Sequence, residues 1–318
     1  MLKTPFFLTA LFSLTLSFTV AANEPLPPKQ QLDAMAKAKN QLNYEIIFVQ
    51  TTPSNIETLR YRHLSQDNKT YAQLATLDGV RQEIVQRDNL ISYFKVNHQP
   101  FTINAQYMLD NLPSILHSDF NRLQKYYDFV NVGRNRIADR IVQTIRILPK
   151  DNFRYQYVVF IDEENHLLLR SDMLDRDDNL LEQFRVVDLY VGDGLQELSA
   201  YLRNVPFPPL LTEKTENTQQ ITAWHTSWLP EGFSQIKESV ETEDNSDNLI
   251  ESRLYSDGLF SFTLYVSDKI LPNEQENVWK QGANTIYSEN IGDKEVTLIG
   301  QIPVSTAKRI VQDIQFKK

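Results

Sequence analysis

The sequence predicts an α+β protein in which a large antiparallel β-sheet is followed by a smaller α/β domain. In the middle of the chain, several predicted strands follow one another with short polar turns between them. Parallel strands would need crossover helices, and these turns are too short to hold any. Near residue 206 a proline-rich stretch runs into a polar one, which is typical of a linker between two domains.

The first 22 residues have the pattern of a secretory signal peptide. Lys3 precedes an apolar stretch at 6–20, and Ala21 and Ala22 are the small residues that a signal peptidase prefers. The stretch is too short and too often interrupted for a good membrane span, although an uncleaved anchor is the alternative. We therefore predict cleavage after Ala22 and export of the mature chain.

The rest of the chain is long enough for two domains of about 100–200 residues each. We predict a large domain at 23–205, a linker at 206–221 and a small domain at 222–318. The chain has 32 basic and 41 acidic residues and a net charge of −9, which disfavours binding to nucleic acid or to an anionic membrane. It has no cysteine, which excludes thiol catalysis and lipid attachment through a cysteine.

The large domain is predicted to begin with a helix and to continue mainly as strands. Apolar residues at helical spacing indicate a helix at 31–42 and a longer one at 107–126, which Pro113 restarts or kinks. A short helix is predicted at 194–202. The predicted strands lie at 43–50, 80–86, 90–96, 101–103, 136–148, 153–161, 167–174 and 180–191.

The small domain is predicted around a β-hairpin. Asp257 and Gly258 suit a two-residue turn, which would place Ser256 opposite Leu259 and Tyr255 opposite Phe260. Alternation then gives one apolar face, made of Tyr255, Phe260, Phe262, Leu264 and Val266. Further strands are predicted at 285–288 and 295–300, and a helix at 305–316 with a serine cap.

We find no residue pattern that indicates catalysis, a cofactor or a metal site. The five histidines are scattered, and no glycine-rich phosphate loop or nucleophile elbow is present. The acidic run from Asp175 fails as a calcium loop, because Leu180 and Val186 stand where glycine and glutamate are needed. Arg134, Arg136 and Arg140 form a basic cluster that we interpret as a solvated face, with a docking point for an anion as the alternative.

Aromatic residues supply the candidate binding sites. A bent sheet with aromatic side chains on its concave face can enclose an apolar ligand under a helix, although an ordinary core is the alternative. The candidate cavity residues are Phe94, Phe101, Tyr155, Tyr157, Phe160 and Phe184. Exposed aromatic anchors dominate peptide binding, and the alternative is again a domain core. The candidate partner-binding residues are Trp228, Phe233, Arg253, Tyr255, Phe260 and Phe262.

Several long strings resemble the RseB/MucB family of envelope-stress regulators. They are LRYRH at 59–63, YYDF at 126–129, LEQFRV at 181–186 and ESRLYSDGLFSF at 251–262. The resemblance implies a periplasmic protein whose large domain is similar to LolA and LolB: a half-open antiparallel β-barrel with helices in its hollow. A smaller α/β domain follows, and no catalytic residue, cofactor or metal is implied.

The resemblance also implies a function. Such proteins bind the periplasmic part of a transmembrane anti-sigma factor, RseA or MucA, protect it from the site-1 protease DegS and so keep sigma-E inactive. A lipid-bearing ligand, lipopolysaccharide or mislocalised lipoprotein, is expected to release them. The alternative is a lipid or lipoprotein carrier or chaperone of the LolA type, and homodimer formation is left open. A further hypothesis is that a flexible linker lets the bound ligand change the relative placement of the two domains.

Overall fold

A computed structural model describes residues 26–108, 111–211, 224–242, 248–268 and 276–316. The predicted signal peptide lies outside these ranges, and so does the predicted linker from residue 212 onward. In the described ranges, no helix is both long enough and apolar enough to cross a membrane.

Eleven antiparallel strands form one continuous sheet in the large domain. Across the sheet the order is β6-β5-β4-β3-β2-β1-β11-β10-β9-β8-β7, so β1 and β11 join two meanders. The described strands β6 and β7 are its two edges, and the barrel is therefore half open, as expected. The strands are β1 Tyr44–Thr52, β2 Asn55–Gln66, β3 Lys69–Thr76, β4 Gln82–Arg87, β5 Leu90–Lys95, β6 Phe101–Asn104, β7 Tyr127–Ile137, β8 Arg140–Pro149, β9 Gln156–Asp162, β10 Leu168–Leu174 and β11 Leu180–Val191.

Two helices cover opposite faces of this sheet. Helix α1, Pro28–Gln41, lies in the hollow and buries Leu32 and Met35 against the concave face. It begins three residues earlier than predicted, because proline suits the first position of a helix. Helix α3, Gln196–Asn204, packs on the convex face.

The long helix predicted at 107–126 was wrong. The described part of this segment holds a 3₁₀ turn, Ser114–His117, and a one-turn helix α2, Phe120–Leu123. Pro113 cannot donate a backbone hydrogen bond, and Asp119 starts a new helix by accepting from the backbone N–H of Asn121 at 2.9 Å. The segment therefore crosses the hollow as a series of turns.

The prediction also missed or merged several strands. Strands β2 and β3 were not predicted, and the single strand predicted at 136–148 is the end of β7 followed by β8. The chain reverses at Ala138 and Asp139, whose φ angles are +49° and +62°. A turn with two positive φ angles normally contains glycine or asparagine, so this one carries no strong sequence signal.

In its described residues, the small domain has a six-stranded antiparallel sheet, a two-stranded sheet of β12 and β19, and one helix. The order of the six-stranded sheet is β13-β14-β15-β18-β17-β16, and helix α4, Val304–Gln312, packs on β17 and β18. The predicted helix at 305–316 is shorter, has no side-chain cap and ends before β19. The strands are β12 Trp224–Thr226, β13 Ser234–Thr242, β14 Leu249–Ser256, β15 Ser261–Ser267, β16 Asn277–Gln281, β17 Asn284–Ile291, β18 Lys294–Gln301 and β19 Ile314–Phe316.

The central hairpin exists, but its turn is longer than predicted. Ser256 pairs with Ser261 rather than with Leu259, which leaves a four-residue turn. Asp257 stabilises this turn because its Oδ1 accepts from the backbone N–H groups of Leu259 and Phe260, both at 2.9 Å. A shift of two residues preserves the faces of a strand, so the predicted apolar face is buried as expected.

Candidate functional site

The hollow between α1 and the concave face contains a cavity of about 390 Å³. This volume lies within the roughly 300–1,000 Å³ typical of small-molecule sites. Its walls are mainly apolar and aromatic, with few charges. The lining residues are Ala36, Lys39, Asn40, Tyr44, Ile46, Tyr61, His63, Thr70, Gln86, Gln106, Tyr107, Met108, Leu112, Leu116, His117, Ser118, Leu167, Leu168 and Phe184.

The titratable groups deep in the hollow are held neutral. Burial lowers the pKa of His63, whose Nδ1 lies 2.8 Å from the carbonyl oxygen of Leu42. Burial also raises the pKa of Tyr44 and of Tyr61 well above the ordinary tyrosine value. A neutral, largely apolar interior favours an uncharged part of a ligand, such as an acyl chain.

Lys39, Tyr107 and His117 form a mouth cluster at the edge of the hollow. The Lys39 ammonium donates to Nδ1 of His117 at 3.0 Å, and the His117 ring stacks on Tyr107 with centroids 3.8 Å apart. Burial lowers the pKa of Lys39 to about 8. Burial, together with the Lys39 charge, lowers the pKa of His117 to about 3. At neutral pH the cluster therefore presents one cation beside a neutral imidazole.

The depressed pKa of His117 predicts an acid-sensitive fold. The unfolded chain protonates this side chain below about pH 6.5, whereas the folded chain resists protonation until about pH 3. Stability therefore falls as pH decreases through this window. Between pH 7 and pH 4, the free energy of unfolding of a His117→Phe variant should fall by about 3 kcal/mol less than that of the native protein. Urea unfolding at each pH measures this, and parallel curves for the two proteins would refute it.

A second cluster of polar groups lies at the seam between the two domains. Arg154 is 1% exposed and Asp257 is fully buried, and Nη1 of the arginine donates to Oδ2 of the aspartate at 2.7 Å. Arg154 also pairs with Asp151 and donates to the carbonyl oxygen of Glu231 at 2.6 Å. The Tyr127 hydroxyl donates to the same Asp257 oxygen at 2.5 Å. Burial and the Asp257 charge raise the pKa of Tyr127, which keeps it a donor.

Aromatic packing surrounds this polar seam. Tyr157 of the large domain stacks on Phe260 of the small domain with centroids 5.6 Å apart, and Tyr155 meets the same ring edge-on at 6.1 Å. The Tyr155 hydroxyl also donates to the carbonyl oxygen of Ile302 at 3.1 Å. Trp228 packs edge-on against Phe153 at 4.8 Å. These aromatic contacts and the buried hydrogen bonds of Arg154, Asp257 and Tyr127 hold the two domains together at the seam.

The hollow and the seam share a wall, the segment 114–118. On one side its residues line the hollow. On the other side the Ser118 hydroxyl donates to the carbonyl oxygen of Gly258 at 3.0 Å, and Ser114 Oγ lies 3.3 Å from the Tyr157 hydroxyl. A second cavity of about 350 Å³ opens between the domains, and Tyr107 and His117 line this cavity as well as the first. Movement of the mouth cluster would therefore change the shape of both cavities.

Among the six residues predicted for the ligand cavity, Phe184 lines the hollow. Tyr155 and Tyr157 contact the small domain at the seam. The other three lie elsewhere on the large sheet: Phe101 stacks on Tyr93, Phe94 packs beneath α3, and Phe160 lies under the Arg170 guanidinium. The mouth cluster was not predicted, because its members are distant in sequence and only the fold brings them together.

The residues predicted to bind a partner lie mostly at the seam. Phe233, Tyr255, Phe260 and Phe262 are all buried in the described arrangement of the domains. Trp228 and Arg253 are partly exposed, and the Arg253 guanidinium lies 3.8 Å from the centre of the Trp224 ring. Contact of these six side chains with a partner stays a prediction.

The basic cluster of the large domain is paired with carboxylates. Arg134 pairs with Glu163 at 2.7 Å, Arg136 pairs with Asp139, and Arg140 pairs with Asp162 at 2.8 Å. The Arg134 and Arg136 pairs are exposed and contribute little to stability, whereas Arg140 pairs with the buried Asp162. The geometry favours the interpretation as a solvated face.

Comparison with known proteins gives consistent matches over the whole chain. Family models described as the MucB/RseB N-terminal domain and the MucB/RseB C-terminal domain match residues 27–211 and 218–315. The chain is 56% identical over 318 residues to the sigma-E factor regulatory protein RseB of Haemophilus influenzae, covering all of both chains. It is 40% identical over 316 residues to RseB of Escherichia coli K12, covering 99% of each.

A solved structure also matches. The complex of Pseudomonas aeruginosa MucA and MucB contains a chain with a TM-score of 0.74 and 23% identity, and the match covers 92% of this chain and 99% of that one. At this identity the likeness concerns the fold, which agrees with a half-open sheet followed by a small α/β domain.

Proposed function

Because the chain belongs to the MucB/RseB family in both of its domains, we propose that it is a regulator that binds the periplasmic part of a transmembrane anti-sigma factor. The partner is a single-pass protein of the RseA/MucA type, and binding keeps a sigma-E-like envelope-stress response off. The observation that carries the proposal is 56% identity over the full length to a sigma-E regulatory protein. We further propose that the mature protein works in the periplasm after cleavage behind Ala22.

The regulator acts by covering the anti-sigma segment to which it binds. A bound anti-sigma segment is shielded from a site-1 protease, and no bond is made or broken by the regulator itself. We assign the contact to the rim of the seam, where Trp228 is partly exposed, and to Arg253, which lies on β14 within the small domain beside Trp224. Aromatic and arginine side chains at such margins are the usual anchors of peptide segments.

A lipid-bearing ligand, such as lipopolysaccharide or a mislocalised lipoprotein, releases the partner. The acyl chain enters the hollow, and the mouth cluster moves to admit it. The wall at 114–118 then shifts, and it carries the hydrogen bond from Ser118 to the Gly258 turn. This step satisfies the requirement that a releasing ligand bind the free and the partner-bound states with different affinity.

The test is proteolysis of the partner segment. At a mature-protein concentration about ten times the dissociation constant, about one segment in eleven is free, so cleavage by the site-1 protease should slow about tenfold. Cleavage of an unrelated substrate by the same protease serves as the control and should be unchanged. An unchanged rate for the anti-sigma segment would reject the proposed function.

A further inference from the structure

The convex face of the large sheet carries a pocket on the opposite side from the hollow. It encloses about 230 Å³ beside the end of α3 and the segment that follows it. We propose that this pocket binds a phosphate group, a role that is separate from the proposed lipid site in the hollow. The lining residues are Lys69, Tyr71, Arg87, Asp88, Leu90, Arg203 and Phe207.

Three cations line the pocket, and none of them has a carboxylate partner in the part of the chain that the structure describes. Among the residues that the structure describes, no aspartate or glutamate forms an ion pair with Lys69, Arg87 or Arg203, although Asp88 also borders the pocket. Elsewhere on the same sheet, Arg140 and Arg170 each pair with an aspartate. In a chain with a net charge of −9, three uncompensated cations around one small pocket favour an anion from outside.

The geometry leaves hydrogen-bond donors of Arg87 unused. Its guanidinium carbon lies over the Phe207 ring, 3.1 Å from the centroid, and Nη1 donates to the carbonyl oxygen of Arg203 at 3.3 Å. Its Nε and Nη2 atoms are buried and have no hydrogen-bond partner among the described residues. Buried donors without a partner are destabilising, and two acceptor oxygens of one anion would satisfy both.

The second arginine, Arg203, is held by a ring contact and by hydrogen bonds. The Arg203 guanidinium lies over the Tyr71 ring at 5.6 Å, and it donates to Ser199 Oγ at 2.8 Å and to Gln66 Oε1 at 3.3 Å. These contacts hold one charge at the pocket, and the exposed Lys69 supplies a third. The hydrogen bonds and ring contacts of the two arginines restrict their side chains in advance, so less conformational freedom remains to be lost on binding.

This set of donors favours phosphate over carboxylate. A phosphate monoester carries about −1.5 to −2 charges and three acceptor oxygens, whereas a carboxylate carries one charge and two oxygens. Arginine recognises phosphate through a bidentate fork. The same group could come from free phosphate or from the headgroup of a lipid, and the experiment separates the two sources.

The test uses the mature chain, residues 23–318, with two probes. Inorganic phosphate is titrated by calorimetry, and vesicles of phosphatidylcholine with and without phosphatidic acid are used in a sedimentation assay. Loss of one charge-assisted hydrogen bond weakens binding about tenfold, so Arg87→Gln and Arg203→Gln should each bind the probe at least that much more weakly. Arg134→Gln, which removes an arginine of the solvated cluster, is the matched control and should bind like the native chain.

The two probes identify the source of the phosphate. Binding of inorganic phosphate that depends on Arg87 assigns a site for the free anion, and binding of phosphatidic acid vesicles alone assigns a lipid headgroup. Arg87→Lys keeps the charge without the fork, and it should bind more weakly than the native chain even if Arg87→Gln fails to fold. The proposal is overturned if neither probe binds, if Arg134→Gln weakens binding equally, or if a polyglutamate peptide binds this pocket in preference to phosphate.

Discussion

Replacing Arg154 with methionine should lower the free energy of unfolding by about 3–5 kcal/mol and separate the two domains, because it leaves Asp257 as an unpaired buried charge. Asp257 is fully buried, and it keeps its bonds to the hairpin turn and to Tyr127 but loses the cation. The charged carboxylate can regain water only if the small domain moves away. Urea unfolding measures the stability, and small-angle scattering should show a larger radius of gyration.

A double-mutant cycle separates pairing from packing. When Arg154→Met is combined with Asp257→Leu, no buried charge remains, so the double variant should be more stable than the sum of the two single losses predicts. Arg140→Met is the matched control, since Arg140 pairs with the buried Asp162 within the large sheet. That variant should lose stability without a change in radius. Additive losses together with an unchanged radius for Arg154→Met would contradict a role of this pair in joining the domains.

Filling the hollow should abolish the response to an acylated ligand. Ala36 lies on α1 and lines the cavity, and an indole ring at this position would occupy much of its 390 Å³. If the ring excludes about four methylenes of an acyl chain, at about 0.8 kcal/mol each, the affinity for a palmitoylated peptide should fall about two hundredfold in Ala36→Trp. Calorimetric titration with that peptide measures the change.

A matched variant tests whether the effect is specific. Ala34 lies on the same helix but does not line the cavity, so Ala34→Trp should bind the palmitoylated peptide like the native chain. Both variants should still bind the anti-sigma segment, because the seam is untouched. Equal affinity of Ala36→Trp and Ala34→Trp for the peptide would place the acyl chain somewhere other than the hollow.

The antiparallel meander was predictable because its turns are short and polar. Strand β2 was missed because its apolar alternation is brief: Leu59 and Tyr61 face inward, but His63 follows them and the outward positions carry Arg60 and Arg62. Such a strand has too little apolar signal to stand out from a loop.

The candidate cavity was only partly predictable for a different reason. Alternation along a strand assigns side chains to two faces, but it does not say which face is concave. Both faces of this sheet are covered by helices, so Phe94 beneath α3 and Phe184 in the hollow look alike in sequence. Lys39 and His117 are 78 positions apart, and no local pattern connects them.

The central claim is that the protein covers the anti-sigma segment until an acylated ligand releases it. One calorimetric titration tests this claim most directly. The mature chain is titrated with the periplasmic segment of the anti-sigma factor, first alone and then in the presence of a saturating palmitoylated peptide. We predict a single tight site in the first titration and at least tenfold weaker binding in the second, since a tenfold change corresponds to about 1.4 kcal/mol of preference for the released state. No binding in the first titration, or equal affinity in both, would contradict the account.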